Sequence, residues 1–255
     1  MSLGQLNFAG LDMVQVALLR LHEFCPPEGY YLADSGGKDS CVVLHLAQVA
    51  GVKYDAHYSQ GGIDPPELVY FLREHHPETV FERPPMSVWA GVQLHGLPRR
   101  QVRWCCELIK EHSGSGRRVL TGIRWAESAR RRNRQMVEVC RTDKTKVFVH
   151  PIIDWANDDV WEYIRRENIS YCKLYDEGWK RLGCILCPMT SAKVAKRDIT
   201  RWPKIAAAWY RAGERYYQSH ESIQKQFPSF AAVWDWWLSR EARKTDSLQC
   251  VMLDN

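Results

Sequence analysis

The chain has 255 residues, enough for one large α/β domain or one domain with a small appendage. With 45% apolar and 25% charged residues it reads as a soluble globular protein, and it holds no run of about 18 apolar residues that could span a membrane. The formal charge of +5 suits an anionic ligand without requiring a nucleic acid, and nine cysteines behind a Met1–Gly10 stretch that lacks a secretory pattern point to a cytoplasmic chain with reduced thiols.

Apolar spacing predicts a helix over Leu11–Phe24. Gly29–Ala33 is predicted as a strand that runs into the turn Asp34-Ser35-Gly36-Gly37, with a helix over Ser40–Val49. Strand Val52–Tyr58, helix Pro65–His75 and strand Thr79–Glu82 follow. Val119–Ile123 and Val147–Pro151 are two more predicted strands, and Asp158–Asn168 is a helix with an acidic start. Strands alternating with helices predict an α/β fold with a mainly parallel sheet covered on both faces. From about Thr200 the pattern changes: Trp202–Tyr217 and Phe230–Arg243 are predicted helices rich in Trp and Tyr. The expected organisation is a sheet domain over residues 1–199 and a helical extension over 200–255, with Trp234-Asp235-Trp236-Trp237 in its core.

Ser35-Gly36-Gly37-Lys38-Asp39-Ser40 lies between a strand and a helix. Two glycines let the backbone turn tightly and approach a ligand. The N–H groups of the turn and of the helix start then form a nest for phosphate oxygens, backed by the helix dipole. Lys38 adds a positive charge, and Ser35 and Ser40 add hydroxyl donors. The spacing is not that of a Walker A loop.

Cys105-Cys106 and Cys184-x-x-Cys187 are candidate metal ligands. Four thiolates suit either a 4Fe-4S cluster or a structural zinc. The tandem pair must aim its sulfurs differently, which favours separate iron corners over one tetrahedral ion. Cys25, Cys41, Cys140 and Cys172 fit no ligand spacing and read as structural.

Gly122-Ile123-Arg124-Trp125-Ala126-Glu127-Ser128 follows a predicted strand and continues into Arg130-Arg131-Arg132-Asn133-Arg134. Arginine forks match phosphate or sulfate oxygens. Arg99, Arg100 and Arg103 form a second basic run before the cysteine pair. Together the runs could meet a nucleic-acid backbone. Asp64 either caps the helix after it or lies near a ribose or Mg²⁺.

These elements resemble, in order, motifs of the phosphoadenosine phosphosulfate reductase family of the PP-loop (adenine nucleotide alpha-hydrolase) superfamily. Ser35–Ser40 resembles its S-G-G-x-D-S loop, Gly122–Arg131 its G-[VI]-R-x-x-E-S-x-x-R segment, and the cysteines the Cys-Cys…C-x-x-C pattern of its cluster-containing members. The resemblance implies a doubly wound, five-stranded sheet. It implies an adenine nucleotide, ATP or phosphoadenylyl sulfate, held by Ser35, Gly36, Gly37, Lys38, Asp39, Ser40, Asp64, Gly122, Arg124, Glu127, Ser128 and Arg131. Lys38, Asp39 and Arg124 are the expected catalytic residues, with Mg²⁺ on the nucleotide and a 4Fe-4S cluster on Cys105, Cys106, Cys184 and Cys187.

Three activities follow. The first is ATP pyrophosphatase chemistry, activating an acceptor such as a nucleic acid for attack by a sulfur donor. The second is reduction of adenylyl sulfate or phosphoadenylyl sulfate with a thioredoxin-like reductant. The third is a non-catalytic, cluster- or zinc-stabilised nucleic-acid-binding subunit. The E-C-G-[LI]-H motif of assimilatory reductases is absent, and Cys250 sits instead in Ser247-Leu248-Gln249-Cys250-Val251, so the first activity is the leading expectation.

Overall fold

The computed structural model describes Leu3 and residues 10–241. The chain divides into two compact units. The first holds the residues up to Ser59, Pro66–Glu82 and Ser113–Leu182. The second holds Gln60–Pro65, Arg83–His112 and the residues from Gly183 onward.

The first unit is a six-stranded sheet with order β3-β2-β1-β4-β6-β5. Its strands are β1 (Tyr30–Ala33), β2 (Tyr54–Ser59), β3 (Val80–Glu82), β4 (Arg118–Leu120), β5 (Val137–Val139) and β6 (Val147–Val149). All pairings are parallel except β5 with β6. Strand β1 is central and apolar; Tyr30, Tyr31 and Leu32 are all buried, as a strand covered on both faces requires. The helices Met13–Glu23, Lys38–Val49 and Asn157–Arg166 contribute Leu21, Val42, Leu46, Val160 and Ile164 to one core with Trp155 and Tyr163. Asp12 starts the first of these helices through a capping box with Gln15.

The sheet has one strand more than the five expected. Val137-Glu138-Val139 turns back after the basic segment and pairs antiparallel along the edge. Three residues are too short a period to stand out beside the four arginines of Arg130–Arg134.

The second unit is helical, with Val88–His95, Ala192–Arg201, Pro203–Ser219 and Phe230–Ser239 as its main helices. Its core is aromatic. Trp209 meets Trp89 at 5.3 Å and Trp237 at 5.6 Å between ring centroids. The buried indole N–H of Trp237 donates to the Pro98 carbonyl at 2.7 Å, so it carries no desolvation penalty. Both cysteine pairs lie in this unit. No helix among the described residues is long and apolar enough to cross a membrane.

Candidate functional site

In the first unit the strand order reverses between β1 and β4: β2 and β3 lie on one side of β1, β4 and β6 on the other. Ligands of such sheets bind beyond the carboxyl ends of the strands at this switch point. Ser35–Ser40 follows β1 and Gly122–Ser128 follows β4, so the sheet delivers both motifs to that crevice.

Asp34, the residue before the loop, organises the turn. Its carboxylate accepts from Gly36 N–H at 3.0 Å, Ser40 Oγ at 3.2 Å, Thr79 Oγ1 at 3.0 Å and His76 Nδ1 at 2.6 Å. Burial alone would raise the Asp34 carboxyl; the hydrogen bonds and the His76 charge outweigh it and hold the group below the usual carboxylate range. Gly36 adopts φ +66°, and a Cβ there would stand 2.8 Å from Leu68 and 2.9 Å from Leu72. Only glycine fits this turn.

Lys38 and Arg124 converge on Asp39. Lys38 Nζ lies 2.9 Å from both Asp39 carboxylate oxygens, and Arg124 Nε donates to Asp39 Oδ1 at 2.8 Å. Both cations are nearly fully buried, with side chains 5% and 3% exposed. Arg124 also donates to the Trp155 carbonyl at 3.1 Å. Burial lowers the Lys38 ammonium's hold on its proton, and Asp39 opposes that. Gly122 permits the convergence: a Cβ there would lie 2.8 Å from the Asp39 backbone carbon and oxygen.

Glu127 and Ser128 fix the segment's own shape. Glu127 Oε2 accepts from the Arg124 N–H at 3.0 Å and is paired with Arg131, while Ser128 Oγ accepts from the Arg131 N–H at 3.3 Å. The loop amides already have partners. Gly37 N–H donates to Ser35 Oγ at 3.4 Å and Lys38 N–H to the Tyr175 hydroxyl at 3.0 Å. Hydroxyl oxygens thus sit where a nest would receive phosphate oxygens. Tyr175 has no local signal in the sequence, since 137 residues separate it from Lys38.

In the second unit Cys105, Cys106, Cys184 and Cys187 line one cavity, shared with Ile63, Ile109 and Lys110. Trp104–Cys106 is helical and opens into a π-helical turn over Glu107–Glu111, a widening common at functional sites. Lys110 is the cation of this cavity; the Cys184 sulfur, ahead of all other neighbours, raises its hold on its proton. Burial pushes the Cys184 thiol up, and a hydrogen bond from Cys105 pulls Cys106 down. Between Cys184 and Cys187, Leu186 takes the left-handed conformation at φ +60°. Its N–H donates to buried Asp198 at 2.9 Å and its carbonyl accepts from Arg240 at 3.1 Å, so two side chains hold a strained knuckle in place. Asp64 belongs to this unit, within electrostatic reach of Lys110 and Cys184. No group of three or more His, Cys, Asp or Glu among the described residues is set to hold a metal ion. Cys250 lies outside the described residues.

The family model of the phosphoadenosine phosphosulfate reductase domain matches residues 29–190, which include the loop, the arginine segment and all four cavity cysteines. The chain belongs to the phosphoadenosine phosphosulfate reductase family. Among its relatives is adenosine 5'-phosphosulfate reductase 2 of Bacillus subtilis, 27% identical over 184 residues, covering 67% of this chain and 77% of the relative. Protein MJ0066 of Methanocaldococcus jannaschii is 29% identical over 202 residues, covering 74% of this chain but 42% of its own length. A second protein of that organism, MJ0973, is covered over 54%, so the chain spans about half the length of these two archaeal relatives. The fold is shared with the phosphoadenylyl-sulfate reductase of Candida auris, solved as a phosphate complex: TM-score 0.52, 19% identity, 70% of this chain and 90% of that one. Family membership and fold thus agree with the doubly wound sheet.

Proposed function

We propose that this reductase-family protein is an ATP pyrophosphatase that activates an acceptor for sulfur transfer. The observation that carries the reading is the pair of buried cations, Lys38 and Arg124, gathered on Asp39 at the mouth of the phosphate loop. Such a pair suits charge that develops on a pyrophosphate leaving group.

ATP would lie with its pyrophosphate part in Ser35–Ser40, its oxygens taking the Gly37 and Lys38 amides from Ser35 and Tyr175. An acceptor oxygen attacks the α-phosphorus. The bond to the bridging oxygen breaks, and pyrophosphate leaves with the electron pair, stabilised by Lys38 and Arg124. AMP stays on the acceptor oxygen. A hydrosulfide-class donor then forms the carbon–sulfur bond and expels AMP. Glu127 and Ser128 hold the backbone of Arg124 and Arg131 through their N–H groups.

Asp39 is the more accessible of the two loop carboxylates, its side chain 20% exposed against 0% for Asp34, and would hold Mg²⁺ once bound phosphates draw Lys38 and Arg124 away from it. Mg²⁺ usually binds one or two carboxylates plus substrate phosphates, so this donor set fits, and the ion would screen the phosphate charge. The four cavity cysteines would hold a 4Fe-4S cluster, and among the described residues no three of them are drawn together as a single zinc ion requires. A cubane needs its ligands spread over separate irons, and Lys110 balances the charge of clustered sulfur. The cluster would supply an electrostatic or electron-transfer centre. The free cysteines among the described residues support a cytoplasmic location, where thiols stay reduced.

A second reading, reduction of adenylyl sulfate or phosphoadenylyl sulfate to sulfite with a thioredoxin-like reductant, is favoured by the named activity of the Bacillus relative. It needs a reactive thiolate at the nucleotide. Cys41 and Cys172 are buried with thiols held above their ordinary range, first by burial, and do not suit that role.

The test gives anaerobically purified protein Mg-ATP in one reaction and phosphoadenylyl sulfate with thioredoxin in another. The proposal expects AMP and pyrophosphate from the first, abolished in Lys38→Ala and Asp39→Ala. Sulfite from the second alone, lost in Cys250→Ser, would overturn it in favour of the reductase.

A further inference from the structure

A second pocket lies in the first unit beside the loop. It measures about 520 Å³ and is lined by Asn157, Trp161, Tyr175, Gly178, Trp179 and Lys180. That volume is within the range of small-molecule sites, about 300–1,000 Å³. Half of its walls are aromatic. Trp161 and Tyr175 meet at 84° with centroids 5.3 Å apart, so they form a corner and not a closed stack. A flat ring can stack on one wall of such a corner and meet the next at its edge. Asn157 brings an amide with both donor and acceptor, and Lys180 a cation. The α-phosphate chemistry above uses none of these groups except Tyr175. Tyr175 joins the two places: it lines the pocket, and its hydroxyl accepts the Lys38 N–H of the phosphate loop.

We propose that this pocket receives the heterocyclic base of the acceptor while the loop holds ATP; the inference rests on the adenylation reading above. A nucleobase answers each wall. Its π-face suits Trp161, Trp179 and Tyr175, its paired donor and acceptor edge suits Asn157, and its ring carbonyl suits Lys180. Proteins capture unstacked bases with this combination of aromatic stacking and polar edge contacts. The position of Tyr175 couples the sites. A phosphate oxygen that takes the Lys38 amide frees the Tyr175 hydroxyl to turn toward the pocket. ATP should therefore tighten base binding, and by reciprocity a base should tighten ATP.

The experiment is a tryptophan-fluorescence titration of the full-length, anaerobically purified protein. The probes are uridine, cytidine, guanosine and adenosine, and then a short single-stranded oligonucleotide, each with and without saturating ATP in the absence of divalent cations. The expected result is saturable quenching by at least one probe, retained and strengthened by ATP. The double variant Asn157→Ala/Lys180→Ala, altered at two exposed positions, should bind that probe about tenfold more weakly and ATP equally well. Quenching by free nucleosides would identify a small acceptor; quenching by the oligonucleotide alone would identify a polymer; both support the site. Absence of quenching by every probe, or its displacement by ATP, would overturn the proposal. If bases bind but no AMP is ever formed, the adenylation reading fails and the base site stands. If AMP forms and no base binds, the reverse holds.

Discussion

One added methyl group at Gly122 should cost this protein both stability and activity. The residue's backbone conformation is not the obstacle, since its φ is not in the left-handed region. The obstacle is space: the new Cβ would stand 2.8 Å from the Asp39 backbone carbon and oxygen and 2.9 Å from the Asp39 Cβ. Tolerated contacts begin near 3.4 Å, so the segment after β4 and the start of the Lys38–Val49 helix must part by about half an ångström. Neither side can swing away, because both are backbone. Overpacking of this kind costs about 1–3 kcal/mol, and in a chain of this size each kcal/mol lowers Tm by about 2–4 °C. The displaced pair is Asp39 and Arg124, joined at 2.8 Å. Catalysis should suffer more than stability, since a 1 Å misplacement can cost about a hundredfold in rate; about a tenfold loss of AMP formation is expected. Thermal unfolding and a pyrophosphate-release assay on Gly122→Ala would read both. Gly183→Ala, where the structure leaves open space, is the control. A Gly122→Ala protein with unchanged Tm and unchanged turnover would refute the reasoning that these two segments must touch.

Two further outcomes follow from buried groups. His150 is fully buried, and burial lowers its pKa from 6.5 to about 4. The fold therefore prefers the neutral ring, whose stabilisation is present above pH 6.5 and is lost as pH falls toward 4, by about 3 kcal/mol in all. Urea unfolding at pH 7 and pH 4.5 should show that loss in the wild type and a smaller one in His150→Gln; equal losses would contradict it. Anaerobically purified protein should carry about four irons per chain, and Asp198→Ala, which releases the Leu186 N–H between Cys184 and Cys187, should lower that content. One zinc and no iron would instead point to a structural zinc site.

The parts of the site legible in the sequence were those written in one stretch of chain. The strand–Ser35-Gly36-Gly37–helix pattern and the Gly122–Arg131 segment each lie within about ten residues, and the parallel sheet brings both to one crevice. Some signals were present but unread. Asp34 precedes the loop, where an aspartate commonly bonds backbone two residues on, as it does to Gly36. Lys110 stands four residues after Cys106, one helical turn away. Other contacts had no local signal. Tyr175 reaches Lys38, and Asp198 and Arg240 reach Leu186, only through tertiary packing. Asp64 reads in the sequence as either a helix cap or a ribose or Mg²⁺ contact; its electrostatic neighbours Lys110 and Cys184, across the cysteine cavity, carry no local signal. The helices Val88–His95 and Ala192–Arg201 were missed for a different reason, their apolar stripes being short and interrupted by basic residues or glycine.

At the loop the protein's own side chains stand in for a polyphosphate. Ser35 and Tyr175 hydroxyls occupy the amides, and the Asp39 carboxylate stands between two cations that a polyphosphate would otherwise neutralise. Buried charges without partners are costly, and removing one member of a buried pair costs about 3–5 kcal/mol. Asp39 is partly exposed, 20% by side chain, so the lower end of that range applies. Asp39→Asn keeps the shape and removes the charge. The variant should therefore unfold at lower temperature than the wild type when free. Inorganic pyrophosphate, added without divalent cation, supplies the missing negative charge, so it should raise the Tm of Asp39→Asn more than that of the wild type. The two effects share one cause and must appear together. A variant that is destabilised yet gains no more from pyrophosphate than the wild type would show that Asp39 serves the fold alone, and that Lys38 and Arg124 are not held in waiting for phosphate.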